Sequence, residues 1–140
     1  MNAVIISILI LCYSLTLGII FAQVFLTAPA VFKVLDKQNA SNFLRKIFPR
    51  YYLLLFLITL LALLISFLFF EKFDIYIAMV AVSFSLLGYL IIPPTNAARD
   101  RGWESLFKWL HNLSVFSTLV IMIVAIIQIF RSTTLITPIT

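Results

Sequence analysis

The sequence YYLLLFLITLLALLISFLFF, residues 51–70, contains no Asp, Glu, Lys or Arg. Three further stretches share this property, namely residues 3–32, 75–92 and 109–130. At about 1.5 Å per helical residue, each stretch crosses or nearly crosses the roughly 30 Å of bilayer hydrocarbon. The sequence therefore predicts an all-α protein, a four-helix transmembrane bundle.

The composition agrees with this fold class. Hydrophobic residues make up 64% of the 140 residues, against about 45–50% in soluble domains. The loops are short, so the chain forms a single membrane domain and any site must be built from the helices and their connections. Cys12 is the only cysteine, which excludes an intrachain disulfide and a multi-cysteine metal motif.

The basic residues predict the topology. Eight of the ten fall in the first and third connections (Lys33, Lys37, Arg45, Lys46, Arg50, Arg99, Arg101 and Lys108). The positive-inside rule places these connections in the cytoplasm and both termini outside, in an inner (plasma) membrane. The formal charge of +5 is explained by this distribution, and we expect no nucleic-acid partner.

The first connection predicts a short amphipathic helix between spans one and two, at residues 37–48. Its apolar residues recur at i, i+3, i+4, i+7 and i+8, with polar residues on the opposite side. We expect it to lie along the interface and to contact anionic lipid head groups through Lys37, Arg45 and Lys46. Pro49 should end it, because proline lacks the N–H that a continuing helix needs.

The third connection predicts a similar break. Pro93 and Pro94 should stop span three, and Asn96 is a candidate N-cap for the next helical segment. A second apolar stripe then leads into span four, which hints at two similar hairpins.

The polar residues inside the spans are few. Those toward the predicted cytoplasmic end include Gln23 in span one, and His111 and Ser114 in span four. They either join helices by hydrogen bonds or line a small site. Gly18 and Gly88 predict close helix approach.

The unusual residues therefore share one end of the bundle, whereas the outer half is almost featureless. Helix ends broken by proline leave backbone groups that a ligand can satisfy. The predicted candidate site comprises Gln23, Pro29, Pro49, Arg50, Tyr51, Pro93, Asn96, Arg99, Asp100, His111 and Ser114.

Three segments carry a resemblance to a known family: FLTAPAVF at residues 25–32, IFPRYY at 47–52, and LHNLS at 110–114. With them, the chain resembles the transmembrane-protein-205-like family of small four-span membrane proteins, a domain of unknown function. Residues 115–118 lack an Asn that we would expect shortly after Ser114. The resemblance implies a membrane protein without an assigned reaction.

Three functions remain open at this point. The leading hypothesis is a non-enzymatic membrane protein that needs no cofactor and binds a small or lipidic ligand, or assembles with itself or with other membrane proteins. A haem-binding oxidoreductase of the protoporphyrinogen oxidase type is an alternative, with His111, Met79 or Met122 as axial ligands. A minimal oligomeric transporter is the third, suggested by the similar hairpins.

Overall fold

The computed structural model describes residues 3–136, and in this range the chain is entirely helical apart from the short turns between helices. Four helical spans are long and apolar enough to cross a membrane: Ala3–Val34, Lys37–Phe69, Lys72–Asp100 and Glu104–Ile136. The predicted fold class is confirmed. The predicted placement of the two termini concerns residues 1–2 and 137–140, which lie outside the described range.

The first span changes its helical geometry partway along. Helix α1 (Ala3–Phe21) passes into a π-helical turn (Ala22–Thr27) and then into α2 (Ala28–Val34). Within the turn, the Ala28 N–H donates to the Gln23 carbonyl five residues earlier. Pro29 follows at once and has no N–H to donate, so the π turn lets the helix continue past a residue that a regular α-helix accommodates poorly.

Helix α3 (Lys37–Phe69) begins at a capped N-terminus. The carboxylate of Asp36 accepts hydrogen bonds from the backbone N–H groups of Gln38 and Asn39, both at 3.0 Å. Together with a bond from the Asn39 side chain, they lower the pKa of the Asp36 carboxyl below its usual value, and the backbone bond from Asn39 contributes most. An aspartate in this position satisfies N–H groups that have no partner inside the helix.

The predicted helix end at Pro49 is wrong. Residues 37–48 are helical, but they form the first turns of α3, which runs unbroken through Pro49 to Phe69. In an apolar surrounding a full break would leave several backbone groups without partners, whereas an internal proline removes one donor only. With 33 residues, α3 is about 50 Å long and exceeds the hydrocarbon thickness.

The third span also differs in detail from the prediction. Helix α4 (Lys72–Leu90) ends before the prolines, and Pro93 and Pro94 lie in the first turn of α5 (Ile92–Asp100), where a missing N–H costs little. Asn96 is inside α5 and is not an N-cap, so that prediction is wrong. Gly102, at φ +68°, makes the turn into α6 (Glu104–Ile136).

Small side chains make up much of the centre of the bundle, beside a few large ones such as Tyr13 and Leu55. The interior faces carry fully buried alanines and serines, while large aliphatic and aromatic residues such as Phe67 and Phe130 point outward. Membrane helices associate through close packing of this kind, because lipid provides no hydrophobic drive between them. The buried small residues include Ala62, Ala78, Ala81, Ser85 and Ala125.

The two ends of the bundle differ in charge. Arg45 pairs with Asp100, which joins the first and third connections at one end, hereafter the basic end. Arg131 pairs with Glu71 and Asp74, which joins the second connection to α6 at the opposite end. The eight basic residues of the first and third connections therefore share one end of the molecule.

Candidate functional site

Tyr52 anchors the helices around the site. Its hydroxyl lies 2.8 Å from Ser114 Oγ and 3.0 Å from Thr118 Oγ1, and it donates to the Ser114 carbonyl oxygen at 3.0 Å. A Cβ atom built on Gly88 would collide with the Tyr52 ring, so α4 can pass this close to α3 only with glycine there. The predicted close approach is confirmed at Gly88. Tyr52 is not among the predicted site residues.

A cavity of about 330 Å³ lies beside this anchor at the basic end. It is lined by side chains from the π turn, the start of α2, α3, α5 and α6, both apolar and polar. Five predicted site residues line it together: Gln23, Tyr51, Asn96, His111 and Ser114. A concave site of mostly apolar lining with a few polar groups is the usual form of a small-molecule site.

Gln23 is the distinctive polar residue of this cavity. The residue is 8% exposed, and its Nε2 has no hydrogen-bond partner among the described residues. Leaving a buried amide N–H unpaired costs about 1–3 kcal/mol. Its π turn has a geometry that is frequent at functional sites.

Arg45 supplies the charge at the cavity. Its two terminal nitrogens form a bidentate pair with Asp100, with Nη1 donating to Oδ2 at 3.0 Å. Its Nε is buried and has no partner among the described residues. Two residues of the cavity lining, Gln23 and Arg45, therefore each have a buried N–H donor that is unpaired among the described residues.

The other six predicted site residues lie outside the cavity lining. Asp100 holds Arg45 from the third connection, and Arg99 lies over the Phe107 ring at 5.8 Å. The remaining four are Arg50, which is exposed, and three prolines that shape the backbone, namely Pro29, Pro49 and Pro93.

His111 stacks on Phe107, with 6.0 Å between ring centroids and an angle of 11°. Of the two methionines considered as axial haem ligands, Met79 is exposed and Met122 lines a neighbouring groove. Residues 3–136 bring together no group of three His, Cys, Asp or Glu side chains suited to a metal ion.

The predicted absence of features in the outer half is wrong. At the opposite end, Asp74 is 1% exposed and accepts hydrogen bonds from Gln128 Nε2 and Arg131 Nε, each at 2.8 Å. Buried oxygens of Tyr13, Ser66 and Gln128 have no partner among the described residues. The sequence signal for this buried cluster is the pair Gln128 and Arg131, three residues apart on one face of α6.

The comparisons with known proteins concern the family alone. No curated protein and no solved structure matches the chain. A family model described as a domain of unknown function, DUF4149, matches residues 11–104. That range includes the π turn, α2, α3, α4 and α5, and with them most of the cavity wall. The chain therefore belongs to the DUF4149 family, and its described part has four helices long and apolar enough to span a membrane.

Proposed function

We propose that this protein is a non-enzymatic membrane protein that binds a small or lipidic ligand in the cavity at its basic end. The observation that carries the proposal is that Gln23, a residue of the lining of a cavity of about 330 Å³, has a buried Nε2 without a partner among the described residues. A ligand oxygen at this point would satisfy the donor, and binding would be strongest for molecules that also fill the apolar part of the cavity.

The orientation proposed with this function has the basic end in the cytoplasm of a cell with an inner membrane. The charge distribution supports it, since the opposite end holds only Lys72 and Arg131 among the basic residues. The exposed Lys37 and Lys46 would then face anionic lipid head groups. In a Cys12→Ser background, an impermeant maleimide on intact cells should label Thr134→Cys and spare Asn42→Cys. The reverse pattern would refute the orientation.

We also propose kinship with the transmembrane-protein-205-like proteins. The segments behind that resemblance contribute to the cavity, with Ala28 from the first and Phe48, Tyr51 and Tyr52 from the second. A cavity of the same lining in a member of that family would support the kinship, and a filled interior there would count against it.

Two matched substitutions test the binding. Ala28 lines the cavity, whereas Ala30 is exposed two residues away, so Ala28→Phe should fill the site and Ala30→Phe should not. Native mass spectrometry of gently extracted protein should show a bound mass that is retained by Ala30→Phe and lost from Ala28→Phe.

A second pair removes the polar group instead of filling the space. Gln23→Ala should lower occupancy about tenfold, while Gln38→Ala, at an exposed position, should leave it unchanged. Wild-type protein without any bound mass would refute the function. A Soret band in the purified protein would replace it with the haem alternative, and ligand exchange across vesicle membranes by a crosslinked oligomer would replace it with the transporter.

A further inference from the structure

An apolar groove on the outside of the bundle adjoins the cavity. The groove lies between α1 and α6, has a volume of about 520 Å³, and is lined by residues such as Leu17, Phe21 and Ile126. Val24, Thr118 and Leu119 line both the groove and the cavity. The cavity and the groove are therefore adjacent and share part of their walls.

Gly18 keeps this groove open. A Cβ built on Gly18 would meet nothing within 4 Å, in contrast to Gly88. The predicted close helix approach is therefore wrong at Gly18. The missing side chain leaves space beside α6 instead of bringing the helices together.

The polar side chains of the cavity favour an anion. Two residues of its lining, Gln23 and Arg45, each have a buried N–H donor without a partner among the described residues, and a donor calls for an acceptor. Arg45 is the charged residue among the described residues that line the cavity, and the carboxylate that pairs with it, that of Asp100, lies outside the lining. A guanidinium N–H beside an amide suits a phosphate or carboxylate oxygen.

We infer that the occupant is an anionic lipid, with its phosphate in the cavity and one acyl chain in the groove. The inference rests on the proposed function and names the ligand class. The apolar groove shares wall residues with the cavity, and the side chains of Phe21 and Phe25, which line the groove, are exposed on the bundle surface where acyl chains surround a membrane protein. A free phosphate would leave the groove without a role.

The test compares three probes by native mass spectrometry of delipidated protein in detergent. They are phosphatidylglycerol, phosphatidylcholine with the same acyl chains, and glycerol 3-phosphate. Phosphatidylglycerol should bind about tenfold more tightly than phosphatidylcholine, because only the former lacks a cationic group that opposes Arg45. Glycerol 3-phosphate should bind weakly, since it has no chain for the groove.

Two matched pairs locate the head and the chain. Gly18→Phe should fill the groove and lower phosphatidylglycerol binding about tenfold, while Ser14→Phe, exposed and one turn away outside the groove, should not. Arg45→Gln should abolish the preference for phosphatidylglycerol, whereas Lys72→Gln, at an exposed position of the opposite end, should keep it.

The outcomes separate this inference from the proposed function. Equal binding of the two lipids, or glycerol 3-phosphate binding that matches phosphatidylglycerol, would overturn the lipid assignment. A native ligand lost from Ala28→Phe but retained by Gly18→Phe would also overturn it and leave the proposed function standing. Absence of any ligand from the wild-type protein would overturn both.

Discussion

The two ends of the bundle differ in how their charged and polar groups are buried and paired. At the opposite end, Asp74 is buried and paired with Arg131 and Gln128, so the acidic group joins α4 to α6. At the basic end, the Arg45–Asp100 pair is partly exposed, and buried N–H groups of Arg45 and Gln23 stay unpaired beside a cavity. At the opposite end the acidic group is buried among its partners, whereas the basic end combines the Tyr52 contacts between helices with two buried donors that we propose a ligand satisfies.

The largest expected effect is at the opposite end. Asp74→Ala removes the buried carboxylate that Arg131 and Gln128 share. It should lower the free energy of unfolding by about 3–5 kcal/mol. Glu71→Ala is the control, since its side chain is 84% exposed and its pair with Arg131 is worth at most about 1 kcal/mol. Denaturation in mixed micelles measures both. Equal losses for the two variants would remove the contrast between a buried and an exposed carboxylate.

The next effect concerns the tight contact beside the cavity. Gly88→Ala forces the Tyr52 ring to move and should cost about 1–3 kcal/mol of unfolding free energy through overpacking. Gly18→Ala has open space and should be neutral, or stabilising by up to about 1 kcal/mol through helix propensity. The same denaturation assay compares them. A loss of unfolding free energy for Gly18→Ala similar to that for Gly88→Ala would contradict the open space beside Gly18.

A smaller effect follows from the Tyr52 hydroxyl. Tyr52→Phe keeps the ring but removes the contacts to Ser114 and Thr118, which should cost about 1 kcal/mol of unfolding free energy. Tyr76→Phe, at an exposed position, should cost nothing measurable. If Tyr52→Phe were as stable as the wild type, the hydroxyl would not be what holds α3 against α6.

The smallest effect belongs to the exposed ion pair at the basic end. Asp100→Asn should lower the unfolding free energy only slightly, because the Asp100 side chain is 57% exposed and water screens the pair. Raising the salt concentration should produce a similar small loss in the wild type and none in the variant. A loss comparable to that of Asp74→Ala would make the two ends equivalent.

Much of the fold could be predicted from the sequence, because an apolar stretch is either long enough to cross the bilayer as a helix or too short to do so. The candidate cluster was partly predictable as well, since Gln23 and His111 are polar residues in otherwise apolar spans. Their convergence with Asn96 and Tyr51 in one cavity depends on how helices rotate against each other. When every face of a helix is apolar, periodicity does not encode that rotation.

The errors have a common physical origin. The rules that place Pro49 and Asn96 at helix ends come from water-exposed helices, where a broken turn finds partners in solvent. Asp74 stands four residues from Phe70 in a charged connection, a pattern that is typical of a surface turn. Its burial depends on Gln128 and Arg131 more than fifty residues away, and local pattern carries no information about such a pairing.

The π turn at residues 22–27 also sets how the first span can change. Its five-residue hydrogen bond accommodates one residue more than an α-helical turn would. Deleting a single residue there would return the turn to α-helical hydrogen bonding and leave its two flanks in register. Deleting a residue from the regular helix between Gly18 and the turn would instead rotate everything before it by about 100° relative to everything after it, so Gly18 would no longer lie on the side of the helix that adjoins Gln23.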